Sequence, residues 1–311
     1  MDTNKIVKGI DLIGDIHGYA EKLKELLSKL DYTESDGAYS HPSRTVLFVG
    51  DYIDRGPKIK DTLKIVKAMV DKGSAIALMG NHEYNALCFH AQKKGGGHLR
   101  PHLNKNIVQH FDTIKEFQND QPEYESYLDW FKTLPLYYET DSFRAVHACW
   151  NDSNIQFLKE TLIDGKLTDE LIAQSAVKGT KLYQAIEETL KGRELELPSG
   201  KPFKDKDGTD RKEIRIKWWE NPSDMTYKSI SIVPHEALTD DPIPVSDLQL
   251  SDYYRPEDKK VFFGHYWLEG EPSLYRDNIC CLDYSIANKG KLVAYRFDNE
   301  DILDNSKLVY V

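Results

Sequence analysis

Three times within the first 83 residues a short apolar run stops at a cluster of polar residues. Ile10 to Ile13 run into Gly14-Asp15-Ile16-His17-Gly18, and Thr45 to Val49 into Gly50-Asp51-Tyr52-Ile53-Asp54-Arg55-Gly56-Pro57. Ala75 to Met79 run into Gly80-Asn81-His82-Glu83. Short β-rich runs bounded this way read as buried strands. The stretches between them, Ala20 to Leu30 and Thr62 to Val70, place apolar residues at helical spacing. Alternating strands and helices predict βαβ units with a largely parallel sheet, in which ligands gather at the carboxyl ends of the strands. All three polar clusters fall there.

Two later units repeat the pattern: Phe143 to Val146 ends at His147, and Val261 to Phe263 ends at Gly264-His265. Asp15 and His17, two apart at a strand end, point the same way, so a carboxylate and an imidazole can share a cation. Asp51 offers a carboxylate able to bridge two cations, Asn81 an amide oxygen, and His147 and His265 imidazoles. This nitrogen and oxygen set suits Mn, Fe or Zn rather than thiolate-bound zinc. Taken singly, each residue has a structural reading as good, with the histidines as satisfied core residues and the aspartates as helix caps. Delivered together from five strand ends, they point to a metal site. His82 stands beside Asn81 and, as an imidazolium oriented by Asp54, can protonate a leaving oxygen. Arg55 is a fork-shaped donor that suits phosphate oxygens.

GDIHG at 14–18, GDYIDRG at 50–56 and GNHE at 80–83 resemble the signature motifs of the calcineurin-like metallophosphoesterases. The Asp-Arg-Gly of the second block is most similar to the phosphoprotein-phosphatase branch and its bacterial diadenosine-tetraphosphatase-like relatives. The resemblance covers about half of the chain. It implies an α/β fold, a four-layer sandwich of two stacked mixed β-sheets flanked by helices, and a dinuclear centre between strand ends. By position it assigns Asp15 and His17 to one metal, Asp51 as the bridge, and Asn81, His147 and His265 to the second. It implies the pairing of His82 with Asp54, and two divalent cations, Mn2+ first, with Fe, Zn, Ni or Mg as alternatives. The expected reaction is in-line attack of a metal-bound hydroxide on phosphorus. The expected substrates are phosphomonoesters, including phosphoserine and phosphothreonine in proteins; the alternative is a dinucleoside polyphosphate such as diadenosine tetraphosphate. A non-catalytic scaffold is the third reading, and the complete residue set speaks against it. The tail departs from the tetraphosphatase-like pattern: Asp283-Tyr284-Ser285 stands where Asp-Thr-Gly is usual, and Tyr266 follows His265 where Thr is commoner.

The rest of the chain bounds these expectations. A net charge of −10 speaks against a nucleic-acid partner. No apolar run reaches the ~18 residues of a membrane helix, and the N-terminus does not read as a secretory signal, so the expected location is cytoplasmic. The four cysteines form no CxxC pair, which argues against disulfides and a thiolate zinc site. We expect one domain over 1–311, with insertions at about 84–138 and 150–259 elaborating the cleft. The second insertion carries a helical stretch from Asp169 to Leu190, a polar turn-rich section from Lys191 to Arg211, and Trp218-Trp219 as core or cleft wall. Arg211, Arg215 and Arg255 compete as a further phosphate contact. The histidines at 90, 98, 102 and 110 are irregularly spaced and read as surface or loop residues, and Gly95-Gly96-Gly97 as a hinge. The last strands, near Asn278 to Asp283 and Lys291 to Phe297, are expected in a second sheet.

Overall fold

Side chains alternate across a strand, and here that alternation sorts the core into layers. The computed structural model describes residues 9–198, 203–204, 210–233, 236–244 and 253–311. In chain order the elements are β1 (Gly9–Ile13), α1 (Ala20–Lys29), a hairpin of β2 (Thr33–Ser35) and β3 (Ala38–Ser40), β4 (Arg44–Phe48), α2 (Ile59–Asp71) and β5 (Ala75–Ala77). There follow α3 (Asn81–His90), α4 (Asn104–Phe117), α5 (Gln121–Phe131), β6 (Tyr137–Glu139) and β7 (Phe143–Val146). The second insertion contributes α6 (Asp152–Thr161), α7 (Asp169–Ser175), α8 (Lys181–Lys191), β8 (Glu194–Glu196), β9 (Phe203–Lys204), β10 (Asp210–Arg211), β11 (Glu213–Arg215) and α9 (Tyr227–Ile230). β12 (Lys260–Phe263), β13 (Ile279–Cys281), β14 (Asp283–Tyr284), β15 (Lys291–Phe297) and β16 (Leu308–Tyr310) close the chain.

Two mixed sheets result. The first runs β14-β15-β1-β4-β5 with β16 on β15, and the second β13-β12-β7-β6. β1, β4 and β5 are parallel, joined by the crossover helices α1 and α2. Leu12, Leu47, Val293, Tyr295 and Phe297 from the first sheet meet Phe143, Phe262 and Cys280 from the second in one apolar layer. The alternate residues Ile13, Phe48 and Ala294 face α1 and α2, which bury Leu23, Leu26 and Leu27, and Ile59, Leu63, Val66 and Met69. On the far side, Val146, Val261, Phe263 and Cys281 pack against Trp218, Trp219 and Ile155. The order helices, sheet, sheet, helix and loop is the four-layer sandwich.

Three expectations are corrected. Lys291–Phe297 lies in the first sheet, antiparallel to β1, because its Leu292 and Ala294 are needed under α1 and α2. The stretch from Asp169 to Leu190 breaks into α7 and α8, with Gly179 at φ 82° between them. Gly95-Gly96-Gly97 forms a tight turn closing a Gln92–His98 bridge, all three at positive φ that other residues rarely adopt. Trp218 and Trp219 are core, at 2% and 0% exposure. Gly200, Pro202 and Gly208 of the turn-rich section, and His235, lie outside the described residues. Among the described residues no helix is long and apolar enough to cross a membrane.

Candidate metal centre

The five strand ends singled out in the sequence converge. Parallel β1, β4 and β5 of one sheet and parallel β7 and β12 of the other present their carboxyl ends to the same edge of the sandwich. There the chain turns sharply: His17 (φ 46°), Asp51 (56°), Asp54 (67°), Arg55 (68°) and His265 (75°) all take left-handed backbone. Each such residue costs roughly 1–3 kcal/mol, which surrounding structure must offset. The Asp51 carbonyl does part of this, accepting from Ile16 and His17 N–H at 3.0 and 2.9 Å. Two glycines admit the carboxylates. A Cβ on Gly80 would sit 2.2 Å from Asp51 Oδ1, and one on Gly264 would sit 1.9 Å from Asp15 Oδ1.

Asp15, His17, Asp51, Asn81, His147 and His265 are all buried. His17 Nδ1–H donates to Ile53 O and His147 Nδ1–H to Val49 O, each at 2.9 Å. Those bonds set the tautomer and turn each Nε2 lone pair into the cluster. His17 Nε2 lies 3.6 Å from Asp51 Oδ2, and His147 Nε2 lies 3.4 Å from Asp51 Oδ1. Asn81 Oδ1 is 3.1 Å from His147 Nε2 and 2.7 Å from His265 Nδ1. Asp51 thus belongs to two groups, one with His17 and His82 and one with His147 and His265, whose donor atoms lie within 4.8 Å of one another. Asp15 Oδ2 accepts from His265 N–H at 3.0 Å.

This residue set fits divalent cations. Asp15 Oδ1, His17 Nε2 and His265 Nε2 are buried without a hydrogen-bond partner, which is costly unless something electropositive meets them. The charge balance agrees. Burial, then Asp283 and Asp51, push Asp15 well above the carboxylate range, and burial and Asp51 push Glu83 up to about 7. Burial and His82 press His17 down to about 3, and burial and the Arg215 charge hold His265 well below its ordinary value. Asp15 and Glu83, crowded beside His17 and His265, call for positive charge, while Asp51 and His147 favour each other's charged forms against burial.

His82 is built differently. Its Nδ1 donates to Asp54 Oδ2 at 2.5 Å, and its backbone N–H to Asp51 Oδ1 at 3.0 Å. Burial disfavours the imidazolium, but Asp51 and Asp54 outweigh it and raise His82 above the ordinary histidine value. Asp54 Oδ1 accepts from His110 Nδ1 at 2.8 Å and Thr113 Oγ1 at 2.5 Å, and His110 Nε2 meets the Tyr124 hydroxyl at 2.7 Å. His110, expected on the surface, is therefore a correction: it is 4% exposed and clamps Asp54. A signal existed. The buried face of α4 is Asn106, His110, Thr113 and Phe117, and three polar residues at core positions need partners inside.

Other residues find their places. Glu83 accepts from the N–H groups of Gly80, Asp51 and Tyr52, tying the Asp51 turn to the start of α3. Asp283 is buried and accepts from Trp267 and Ser285 N–H at 2.8 and 3.0 Å, shaping the loop after His265. Arg55 is exposed at the mouth, its guanidinium 4.1 Å from the Trp267 ring centre. Of the competing arginines whose side chains are described, Arg215 has a charge that reaches His265. Arg255 is exposed, with its backbone carbonyl accepting from Asn278, and the Arg211 side chain lies outside the described residues.

The sequence profile of the calcineurin-like phosphoesterases matches residues 9–266. The chain is 33% identical over 141 residues to the asymmetrical bis(5'-nucleosyl)-tetraphosphatase PrpE of Oceanobacillus iheyensis, covering 45% of this chain and 54% of that protein. It is 30% identical over 138 residues to a symmetrical bis(5'-nucleosyl)-tetraphosphatase of Janthinobacterium, covering 44% and 42%. The chain thus spans about half the length of the curated relatives it matches. A protein serine/threonine phosphatase from Saccharomyces cerevisiae shares the fold, with a TM-score of 0.50 at 12% identity over 100% of this chain and 80% of the other. With its sandwich, its convergent strand ends and a match over most of its length, the chain belongs to the calcineurin-like phosphoesterase family.

Proposed function

We propose that the chain hydrolyses phosphate esters within a single domain over 1–311, with Asp15, His17, Asp51, Asn81, His147 and His265 holding two divalent cations and the insertions at 84–138 and 150–259 shaping the cleft. The observation that carries this reading is the set of buried, unpartnered imidazole and carboxylate atoms converging beside a charged His82–Asp54 pair. When bound, two cations supply Lewis acidity at phosphorus and lower the pKa of a water towards neutrality. Asp51, with one oxygen towards each group, suits the bridging position. His82 spends Nδ1–H on Asp54, which leaves Nε2, 3.5 Å from the Gln109 amide nitrogen, as the nitrogen that protonates the leaving oxygen. Arg55 and Arg215 grip non-bridging oxygens, and the Trp267 ring keeps the Arg55 plane in place.

Phosphomonoesters, phosphoserine and phosphothreonine in proteins among them, are the first substrate class. Dinucleoside polyphosphates are the second, supported by what the PrpE relative is named for and by Trp267, a half-buried indole at the mouth on which a base can stack. Metal-stripped protein reloaded with Mn2+ is assayed on an aryl phosphate, a phosphopeptide and diadenosine tetraphosphate. Failure to turn over any of them sinks the reading. A preference above about a hundredfold in kcat/KM, about 2.7 kcal/mol, selects one class.

Two further outcomes are expected. Chelation lowers Tm by several degrees in calorimetry, because a ligand bound only by the folded state adds about 4 kcal/mol at a thousand times its Kd. An unchanged Tm argues against resident cations. His110→Ala removes a donor from the buried Asp54 carboxylate. It is expected to cost about 2 kcal/mol of stability in denaturant titration and to lower kcat about tenfold with KM little changed; a loss in KM alone would contradict this role.

A further inference from the structure

Arg100 is a half-buried cation whose guanidinium hydrogen bonds both go to neutral amides. Its Nη1 donates to Asn85 Oδ1 and its Nη2 to Gln109 Oε1, both at 2.8 Å. Among the described residues no carboxylate pairs with it at hydrogen-bond distance; burial disfavours its charge, and Glu187 and Asp54 favour it only from farther away. The two amides position it. Asn85 lies on α3 three residues after His82, hence on the same helix face. Gln109 precedes His110 on α4 and brings its Nε2 to 3.5 Å from His82 Nε2, the nitrogen that faces the reaction. Arg100 therefore sits behind Gln109 on the side from which His82 delivers its proton, with guanidinium donors to spare. The surrounding sequence has the same sign. Between Glu83 and Asp112 there is no acidic residue, while Lys93, Lys94, Arg100 and Lys105 all fall in that stretch of a chain with net charge −10.

We infer that Arg100, clamped by Asn85 and Gln109, is an anion subsite on the leaving-group side that selects substrates whose leaving group is itself a phosphate. This deepens, and rests on, the phosphohydrolase reading above. A phosphoserine leaves as a neutral alcohol once protonated and brings no charge to that side. A phosphoanhydride does. As the bond from the water oxygen to phosphorus forms and the bond from phosphorus to the bridging oxygen breaks, the leaving phosphate collects negative charge. His82 supplies its proton to that oxygen, and Arg100 binds the non-bridging oxygens of the departing group.

The test compares wild type, Arg100→Met and Arg100→Lys, Mn2+-loaded, on diadenosine tetraphosphate and on 4-nitrophenyl phosphate. The expected result is at least a 20-fold fall in the ratio of the two kcat/KM values in Arg100→Met, with partial recovery in Arg100→Lys. A ratio that stays within about threefold, whether both activities drop or neither does, overturns the inference. A second readout needs no turnover: by calorimetry, the preference for tripolyphosphate over orthophosphate should fall about tenfold in Arg100→Met, and an unchanged preference overturns the assignment. If wild type hydrolyses neither compound, the phosphohydrolase reading fails, and the calorimetric comparison still decides the role of Arg100.

Discussion

Asp51→Asn is expected to reduce kcat by about 10³-fold or more, equivalent to about 4 kcal/mol of transition-state stabilisation. The substitution keeps volume and shape and changes one charge. Asp51 Oδ2 lies 3.6 Å from His17 Nε2 and Oδ1 lies 3.4 Å from His147 Nε2, so a single carboxylate stands between both groups of proposed ligands. An amide offers one weak oxygen in place of two charged ones and turns an NH2 towards a site built for cations. Metal content measured on the purified variant should therefore fall together with activity, and the chelation-dependent shift in Tm should shrink. Loss of folding is a separate matter, since Asp51 N–H and the Gly80 turn are held by Glu83, which the change leaves in place. Full metal content with turnover within tenfold of wild type would remove Asp51 from the bridging position.

The parts legible in sequence and the parts that were not differ in a physical way. Asp15, His17, Asp51, Asn81, His147 and His265 each stand in the polar cluster that ends a short apolar run, so local sequence says both that a strand ends and what it delivers. The layers were implied by the family resemblance and not by periodicity, because β4 and β12 are covered on both faces and read as nearly continuous apolar runs. His110 and Gln109 were not, because their value comes from α4 docking across the Asp54 turn, a contact between residues 56 positions apart. Spacing among the four histidines from 90 to 110 carried no information, since His98 and His102 stack on each other in the loop while His110 turns inward. β15 was misplaced because its alternation fits either sheet equally well, and only the demand for Leu292 and Ala294 beneath α1 and α2 decides. Asp283 shows the opposite case. Its neighbours break the expected triplet, yet the carboxylate is retained and its task, holding the Trp267 loop, is visible only in three dimensions.

His82→Ala should lower kcat by about 10²- to 10⁴-fold on a phosphopeptide, the usual worth of a positioned general acid, and by much less on 4-nitrophenyl phosphate. The asymmetry follows from the leaving group: an alkoxide needs a proton in the transition state, whereas 4-nitrophenolate departs without one. Asp54→Asn should show the same dependence at smaller amplitude, because the imidazole remains but loses the carboxylate that keeps it charged through the 2.5 Å bond. Metal content separates this role from its rival. His82 also stands in a group with His17 and Asp51, its Nε2 3.9 Å from Asp51 Oδ2, and so is close enough to be a ligand. A ligand lost would deplete the metal and depress both substrates alike. A proton donor lost would leave the metal in place and penalise only the poor leaving group, and equal losses on the two esters would exclude His82 as the acid.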